Sequence, residues 1–322
     1  MAVNAFDIGS IPSALMRRIH EGLQTDEVAE AESICTLRAD ATTRNGTIPL
    51  LTSATLLART ENAGLAPLEA AKSHGGSMGT VKYEVKAYVG VDLVSDEERA
   101  DMAYFSEDAI AIHMRQARRN ANASIDQKLE EVLLSTTDNN IFNCLAAGDG
   151  NGAWNTASST PLDDVQQASD TFAPDANTIV LGRSVYNALV RNDDIIAETS
   201  QFAGSGQLNY TALEALFRAK IPNLEHFFIF DKKINRAPLD APGDSGAPNA
   251  PSVVFDRLFR NGFWLGMKED ILLIKPSGEG LEDQAEVTRK DEIRAHRIQY
   301  TRYIDIIRPF QEMGVTFTNV IA

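Results

Sequence analysis

Basic side chains are in short supply in this sequence: 30 lysines and arginines stand against 45 aspartates and glutamates, a formal net charge of −15. A protein that coats DNA or RNA over a broad face relies on Lys and Arg to neutralise phosphates, so the balance argues against that class. Cysteine is nearly absent. Cys35 and Cys144 are the 2 in the chain, too few for a disulfide framework or a four-thiolate zinc site, and they read as reduced thiols. No apolar run approaches the roughly 18 residues of a membrane span, and Met1 to Asp7 lacks the basic patch and apolar stretch of a secretory signal. The five histidines, His20, His74, His113, His226 and His296, are scattered singly, without the paired spacing of a metal site. Neither a metal nor a cofactor is expected.

An apolar fraction of 43% and a charged fraction of 23% are those of a folded globular protein, and 322 residues supply one large or two medium domains. The clearest local pattern is an alternation. Val81, Tyr83, Val85, Ala87, Val89, Val91 and Leu93 are interleaved with Lys82, Glu84, Lys86, Tyr88, Gly90 and Asp92, the mark of a half-buried strand. A single strand over residues 81–94 would span about 45 Å, so it either bends or reaches out of the body as an arm. Ser95 and Glu98 then form a capping box for a short helix. A long helix is predicted from Ser106 to Leu134, about 43 Å at 1.5 Å per residue. Its stripe of Phe105, Ala109, Ile112, Ala117, Ala121, Ile125, Leu129, Val132 and Leu133 suits a helix lying across a sheet. Arg115, Arg118 and Arg119 stand beside it as a cationic cluster, read as an interfacial or solvated face ahead of a nucleic-acid contact.

Residues 138–160 are rich in Gly, Asn, Ser and Thr and read as a boundary loop. Beyond it, strands are predicted at Thr178–Gly182, Phe227–Phe230, Val253–Phe255 and Asp270–Lys275, with helices at Ser184–Arg191 and Thr211–Lys220. Residues 237–251 hold four of the 12 prolines, an exposed loop. Extended segments return over His296–Ile306 and Gly314–Ile321. Residues 289–308 carry six basic and three acidic side chains and are taken, with Arg115–Arg119, as candidates for subunit contacts.

Catalytic templates do not fit. Gly243-Asp244-Ser245-Gly246 matches the nucleophile tetrapeptide of chymotrypsin-like proteases, yet no histidine has the small-residue context of a triad base. Catalysis by Ser245, and with it a soluble serine hydrolase, is the weakest alternative. Asp149-Gly150-Asn151-Gly152 opens like a calcium loop, but its twelfth position is Thr160 where a glutamate is needed. Gly204-Ser205-Gly206 lacks the third glycine of a dinucleotide fingerprint. The pairs Asp163/Asp164 and Asp193/Asp194 read as helix-start and loop residues rather than an acid/base pair.

The order of parts, a polar N-terminal arm, a long two-stranded excursion, a long helix, an inserted α/β unit and a return to extended strands, resembles the major capsid proteins of tailed bacteriophages, the Hong Kong 97-like shell fold. Residues 33–94 resemble its extended loop, Ser106–Leu134 its spine helix, Asn177–Leu189 the strand-to-helix opening of its axial domain, and residues 303–322 its closing strands. The resemblance implies an α+β fold divided into an arm (1–32), an extended loop (33–94), a peripheral domain with the spine helix (95–160), an axial domain (161–277) and return strands of the peripheral domain (278–322). It further implies a non-enzymatic structural protein that self-assembles through pentamers and hexamers into an icosahedral head. That head would enclose double-stranded DNA without sequence-specific binding, in a virion assembled in the host bacterial cytoplasm. A separate scaffolding protein and a portal are the implied partners. An encapsulin-like nanocompartment shell is the alternative. Val81, Tyr83, Val85, Val89, Arg115, Arg118 and Arg119 are the expected subunit-interface residues. Lys72, Lys82 and Lys86 lie where some members crosslink, but no partner Asn and Glu can be assigned.

Overall fold

The computed structural model describes residues 29–38, 41–51, 78–104, 108–137, 140–146, 150–156, 158–173, 175–203, 210–235, 255–277, 280–310 and 313–321. The N-terminal arm to residue 28, the tip of the excursion at 52–77 with Lys72, the Gly204–Gly206 motif and Ser245 with its proline-rich loop lie outside the described residues.

In chain order the elements are α1 (Glu30–Ile34), β1 (Thr36–Arg38), β2 (Asn45–Leu51), β3 (Met78–Glu84), β4 (Lys86–Ser95), α2 (Asp96–Tyr104) and the long α3 (Ala109–Leu133). There follow β5 (Asn140–Asn143), α4 (Pro161–Phe172), β6 (Thr178–Gly182), α5 (Arg183–Arg191), α6 (Asp193–Ala203), α7 (Tyr210–Lys220) and β7 (His226–Phe230). The chain closes with β8 (Lys233–Asn235), β9 (Phe255–Arg257), β10 (Phe263–Gly266), β11 (Leu272–Ile274), β12 (Gln284–Lys290), β13 (Ala295–Ile307) and β14 (Val315–Thr318).

Two five-stranded sheets carry the architecture. In the first, β1, β11, β13 and β12 lie in that order and β4 also pairs with β13. The 13-residue β13 is its axis, antiparallel to β4 from Ala295↔Ser95 to Ile304↔Lys86. In the second the order is β5-β14-β10-β6-β7. Every residue of β6 is buried, because both faces of this sheet are covered, as an unbroken apolar run requires. Ile179 and Leu181 pack with Leu162, Val165, Val185, Leu189, Leu213 and Phe217 of the helices α4, α5 and α7. Val180 and Trp264 face the other way, onto Leu129 and Leu133 of α3. The same helix meets the first sheet through Ala109, Met114, Ala117 and Ala121, against Val94, Ile298 and Tyr300. One helix thus ties the two sheets together.

Helix starts follow side-chain chemistry. Asp108 caps α3, accepting from the backbone of Ile110 and Ala111 at 3.0 and 3.4 Å, and Ser95 Oγ accepts from Glu98 N at 3.0 Å. Asn192 caps α6 in the same way, which leaves Asp193 and Asp194 in its first turn.

Several expectations are corrected. The 81–94 strand is two strands broken at Val85, so it bends rather than reaching out whole. The last strand pairs with β10 and β5 in the second sheet. β5 and α4 arise where the boundary loop and its flank were read, and α6 was not anticipated. Helix α7 starts at Tyr210, one residue before the expected start at Thr211. The arginines of 289–308 are not uniformly outward. Arg302 is buried, bonded to Asn122 and paired with Glu32 and Asp283, and buried Arg308 pairs with Asp270 at 2.8 Å. A guanidinium in a low-dielectric site needs such a partner, and these two are spent inside the fold.

Candidate subunit interface

The excursion is a hairpin. β2 and β3 pair antiparallel with Ile48 opposite Val81 and Gly46 opposite Tyr83. Its base is held by a small core in which Ala41, Ile48, Tyr83, Val85 and Ile274 meet, with Tyr303 and Ile307 against them. Polar contacts fix the joint: Val85 N donates to Arg44 O at 2.7 Å, Glu84 N donates to Asp305 Oδ2 at 2.8 Å, and the Arg44 guanidinium sits 5.2 Å over the Tyr303 ring. Tyr83 and Val85, two of the expected interface residues, are therefore consumed in rooting the hairpin to its own body.

Past Val85 the strand changes partner from β2 to β13 and its buried phase changes with it. Gly90 and Val94 now face the spine helix, while Val89, Val91 and Leu93 turn outward, 42%, 40% and 49% exposed. Their cross-strand partners on β13 are Thr301, Gln299 and Arg297. An apolar column thus runs along β4 beside a polar column. Three adjacent exposed aliphatic side chains on one sheet face are the kind of surface that isolated soluble chains keep small.

Why α3 lies so close to β4 is a matter of one glycine. A Cβ on Gly90 would stand 1.7 Å from the Ala117 carbonyl oxygen and 3.1 Å from Ala121 N. Backbone thus packs on backbone, which explains the alanine-rich middle of the helix. Arg118 is on the inner side of this contact, buried, with its guanidinium 6.0 Å over the Tyr300 ring. Arg115 and Arg119 are exposed on the opposite face of α3. The expected residues therefore do not form one patch. Val89 lies on the outer face of the sheet, Arg115 and Arg119 on the outer face of the helix, and Tyr83, Val85 and Arg118 are internal. Val91 and Leu93 belong with Val89 and were passed over. The signal that could have found Arg118 is its spacing, since Met114, Arg118 and Asn122 recur every four residues on one helix face.

The described residues offer little for catalysis. No group of three or more His, Cys, Asp or Glu side chains among them could hold a metal ion. Both cysteines are buried; burial pushes the Cys144 thiol up to about 12 and that of Cys35 higher still, so neither is a nucleophile near neutral pH. Asp164, in the first turn of α4, accepts from Trp154 Nε1 at 2.8 Å inside the core. Burial raises its pKa, and the indole hydrogen bond opposes that rise. No helix among the described residues is long and apolar enough to cross a membrane.

No protein-family model matches this sequence, and no curated protein matches it by sequence. Solved structures do match in fold. A phage-related protein from Bordetella bronchiseptica superposes with a TM-score of 0.64 over 94% of this chain and 97% of its own, at 14% identity. The capsid of the cyanophage P-SCSP1u matches with a TM-score of 0.51 over 88% of this chain and 86% of its own, at 15% identity. The SrpI encapsulin of Synechococcus elongatus matches at 0.50 over 92% and 89%, with 9% identity. The chain has the α+β Hong Kong 97-like shell fold, and the matches run over nearly its whole length.

Proposed function

We propose that this protein is the structural subunit of a closed shell, a phage major capsid protein that assembles through rings of five and six into an icosahedral head around double-stranded DNA. The observation that carries the reading is the near-complete two-way coverage of the fold match, 94% of this chain against 97% of the Bordetella phage-related protein. On this reading the chain works in the virion, after assembly in the bacterial cytoplasm with a separate scaffolding protein and a portal.

The physical design is consistent with the role. A ring needs a head-to-tail contact between two different surfaces that closes on itself. The hairpin β2–β3, rooted through Tyr83 and Val85, and the outward column Val89, Val91 and Leu93 supply surfaces that a neighbouring copy would cover. A net charge of −15 suits a container that holds DNA without gripping it, with ions screening the contact. Arg115 and Arg119 are the outward-facing remainder of the expected interface.

Size-exclusion chromatography and electron microscopy of the expressed protein test the reading. Shells, tubes or rings of five or six are the expected product, in the presence of a scaffolding partner if not alone. A chain that stays monomeric under both conditions overturns it. The fold match to an encapsulin keeps a cargo-enclosing compartment as the second reading, and particle contents separate the two: packaged nucleic acid against a protein cargo.

A further inference from the structure

Where β4 runs into α2, one imidazole joins three elements. His113 of α3 lies between Asp92 of β4 and Glu98 of α2, with Nδ1 2.9 Å from Asp92 Oδ2 and Nε2 3.0 Å from Glu98 Oε1. A carboxylate oxygen only accepts, and a neutral imidazole has one N–H to give, so the imidazolium alone satisfies both contacts. Helix α2 is also met by a second imidazole of opposite temper. His296 of β13 has a fully buried side chain, with Nε2 3.4 Å from Asp96 Oδ1 and 3.5 Å from Arg99 Nη1. Its Nδ1 is buried without a hydrogen-bond partner among the described residues. Arg289 of β12 reaches the same Asp96 at 3.3 Å, so two cations stand near His296 and one carboxylate opposes them.

We propose that α2 is a pH-operated clasp on the spine helix, closed by protonation of His113 and opened by protonation of His296. The charged groups facing the pair are Asp92 from β4, Asp96, Glu98 and Arg99 from α2, and Arg289 from β12. Burial alone would lower the pKa of His113, but the hydrogen bonds and attraction of Asp92 and Glu98 outweigh it and the net shift is upward. Burial and then Arg99 lower that of His296, against the pull of Asp96.

The signs oppose each other. His113, raised in the folded state, contributes fully below about pH 6.5, and its contribution is lost as pH climbs through the folded value. His296, lowered in the folded state, contributes fully above about pH 6.5, and its contribution is lost as pH falls towards the folded value. The clasp is therefore tightest near pH 6.5 and loosens on either side. Because α2 links β4 to α3, opening it would free residues 96–104 while both sheets stay paired.

Hydrogen–deuterium exchange of the α2 amides in the full chain, followed from pH 5 to 8.5 and corrected for intrinsic rates, tests it. Protection is expected to peak near pH 6.5. It should fall by up to about tenfold per pH unit across the His113 titration. His113→Gln should flatten the alkaline limb and His296→Gln the acid limb. Should His296→Gln fail to fold, Arg99→Gln takes its place: removing that cation should raise the folded value of His296, which moves the foot of the acid limb to higher pH and shortens the limb. A flat profile in the unaltered chain, one bell shared by all variants, or an unmoved acid limb in Arg99→Gln would overturn the clasp.

Discussion

The two halves of the Val81–Leu93 alternation are written in the same residues and put to opposite uses. In the first half, β3 turns Tyr83 towards the body, with Val85 just after it, and both side chains are buried. In the second half, β4 buries Gly90 and Val94 and exposes Val89, Val91 and Leu93. The switch is local: Lys86 and Ala87 are exposed in succession, so the period-2 pattern slips by one residue, and such a slip moves a whole set of side chains to the other face. It happens where the chain leaves β2 for β13. Two sheets with differently placed cores can share one continuous stretch of chain only if its phase changes between them. The hairpin half thereby becomes an anchor, and the β4 half a display.

That comparison can be broken at three points, taken in order of their effect on the subunit. Gly90→Ala should do the most damage, because the added methyl would stand 1.7 Å from a backbone oxygen of α3 and neither partner is a flexible side chain. The helix must lift off β4. A loss of about 3 kcal/mol or more is expected in denaturant unfolding of the isolated subunit, and a loss below about 1 kcal/mol would show that helix and strand are not in backbone contact. Val85→Asp should come next. It places a carboxylate among Ala41, Ile48, Tyr83 and Ile274 near the rim of the body, for an expected cost of about 2–3 kcal/mol. The same unfolding measurement checks it, and a near-neutral result would place Val85 on a free arm.

How much of this is legible in the sequence varies with the kind of signal. Ile179-Val180-Leu181 announced a strand covered on both faces, and the spine helix showed in the spacing from Ala109 to Leu133, because burial on one side imprints a period on the residues. The capping role of Ser95 was legible because its chemistry is local. What escaped depends on partners. Nothing in Val85, Lys86 and Ala87 marks a change of sheet, since valine suits either face of either sheet. Arg302 and Arg308 read as surface cations because their counter-charges, Glu32 and Asp270, are 270 and 38 residues away in sequence. The shell fold itself was legible from the order and lengths of its parts. The surface was only half legible: of the residues expected at an interface, Val89 is exposed while Tyr83, Val85 and Arg118 are buried.

The third point is Val89, where the expected effect on the subunit is smallest and on its assembly largest. An exposed valine exchanged for aspartate at the outer face of a sheet alters stability by no more than about 0.5 kcal/mol, so the unfolding midpoint of Val89→Asp should match the unaltered chain. If Val89, Val91 and Leu93 are covered by a neighbouring copy, each contact in the shell would then bury an unpaired carboxylate. The penalty per contact is modest, but every subunit repeats it, and linked contacts fail together as they form together. Particles should vanish from electron micrographs while the monomer remains folded. A carboxylate at Val89 that leaves particle yield unchanged would mean that this column faces solvent in the assembly. A loss of stability equal to that of Val85→Asp would mean that the subunit itself covers the column. Only a folded chain that cannot assemble separates the display half of the strand from its anchor.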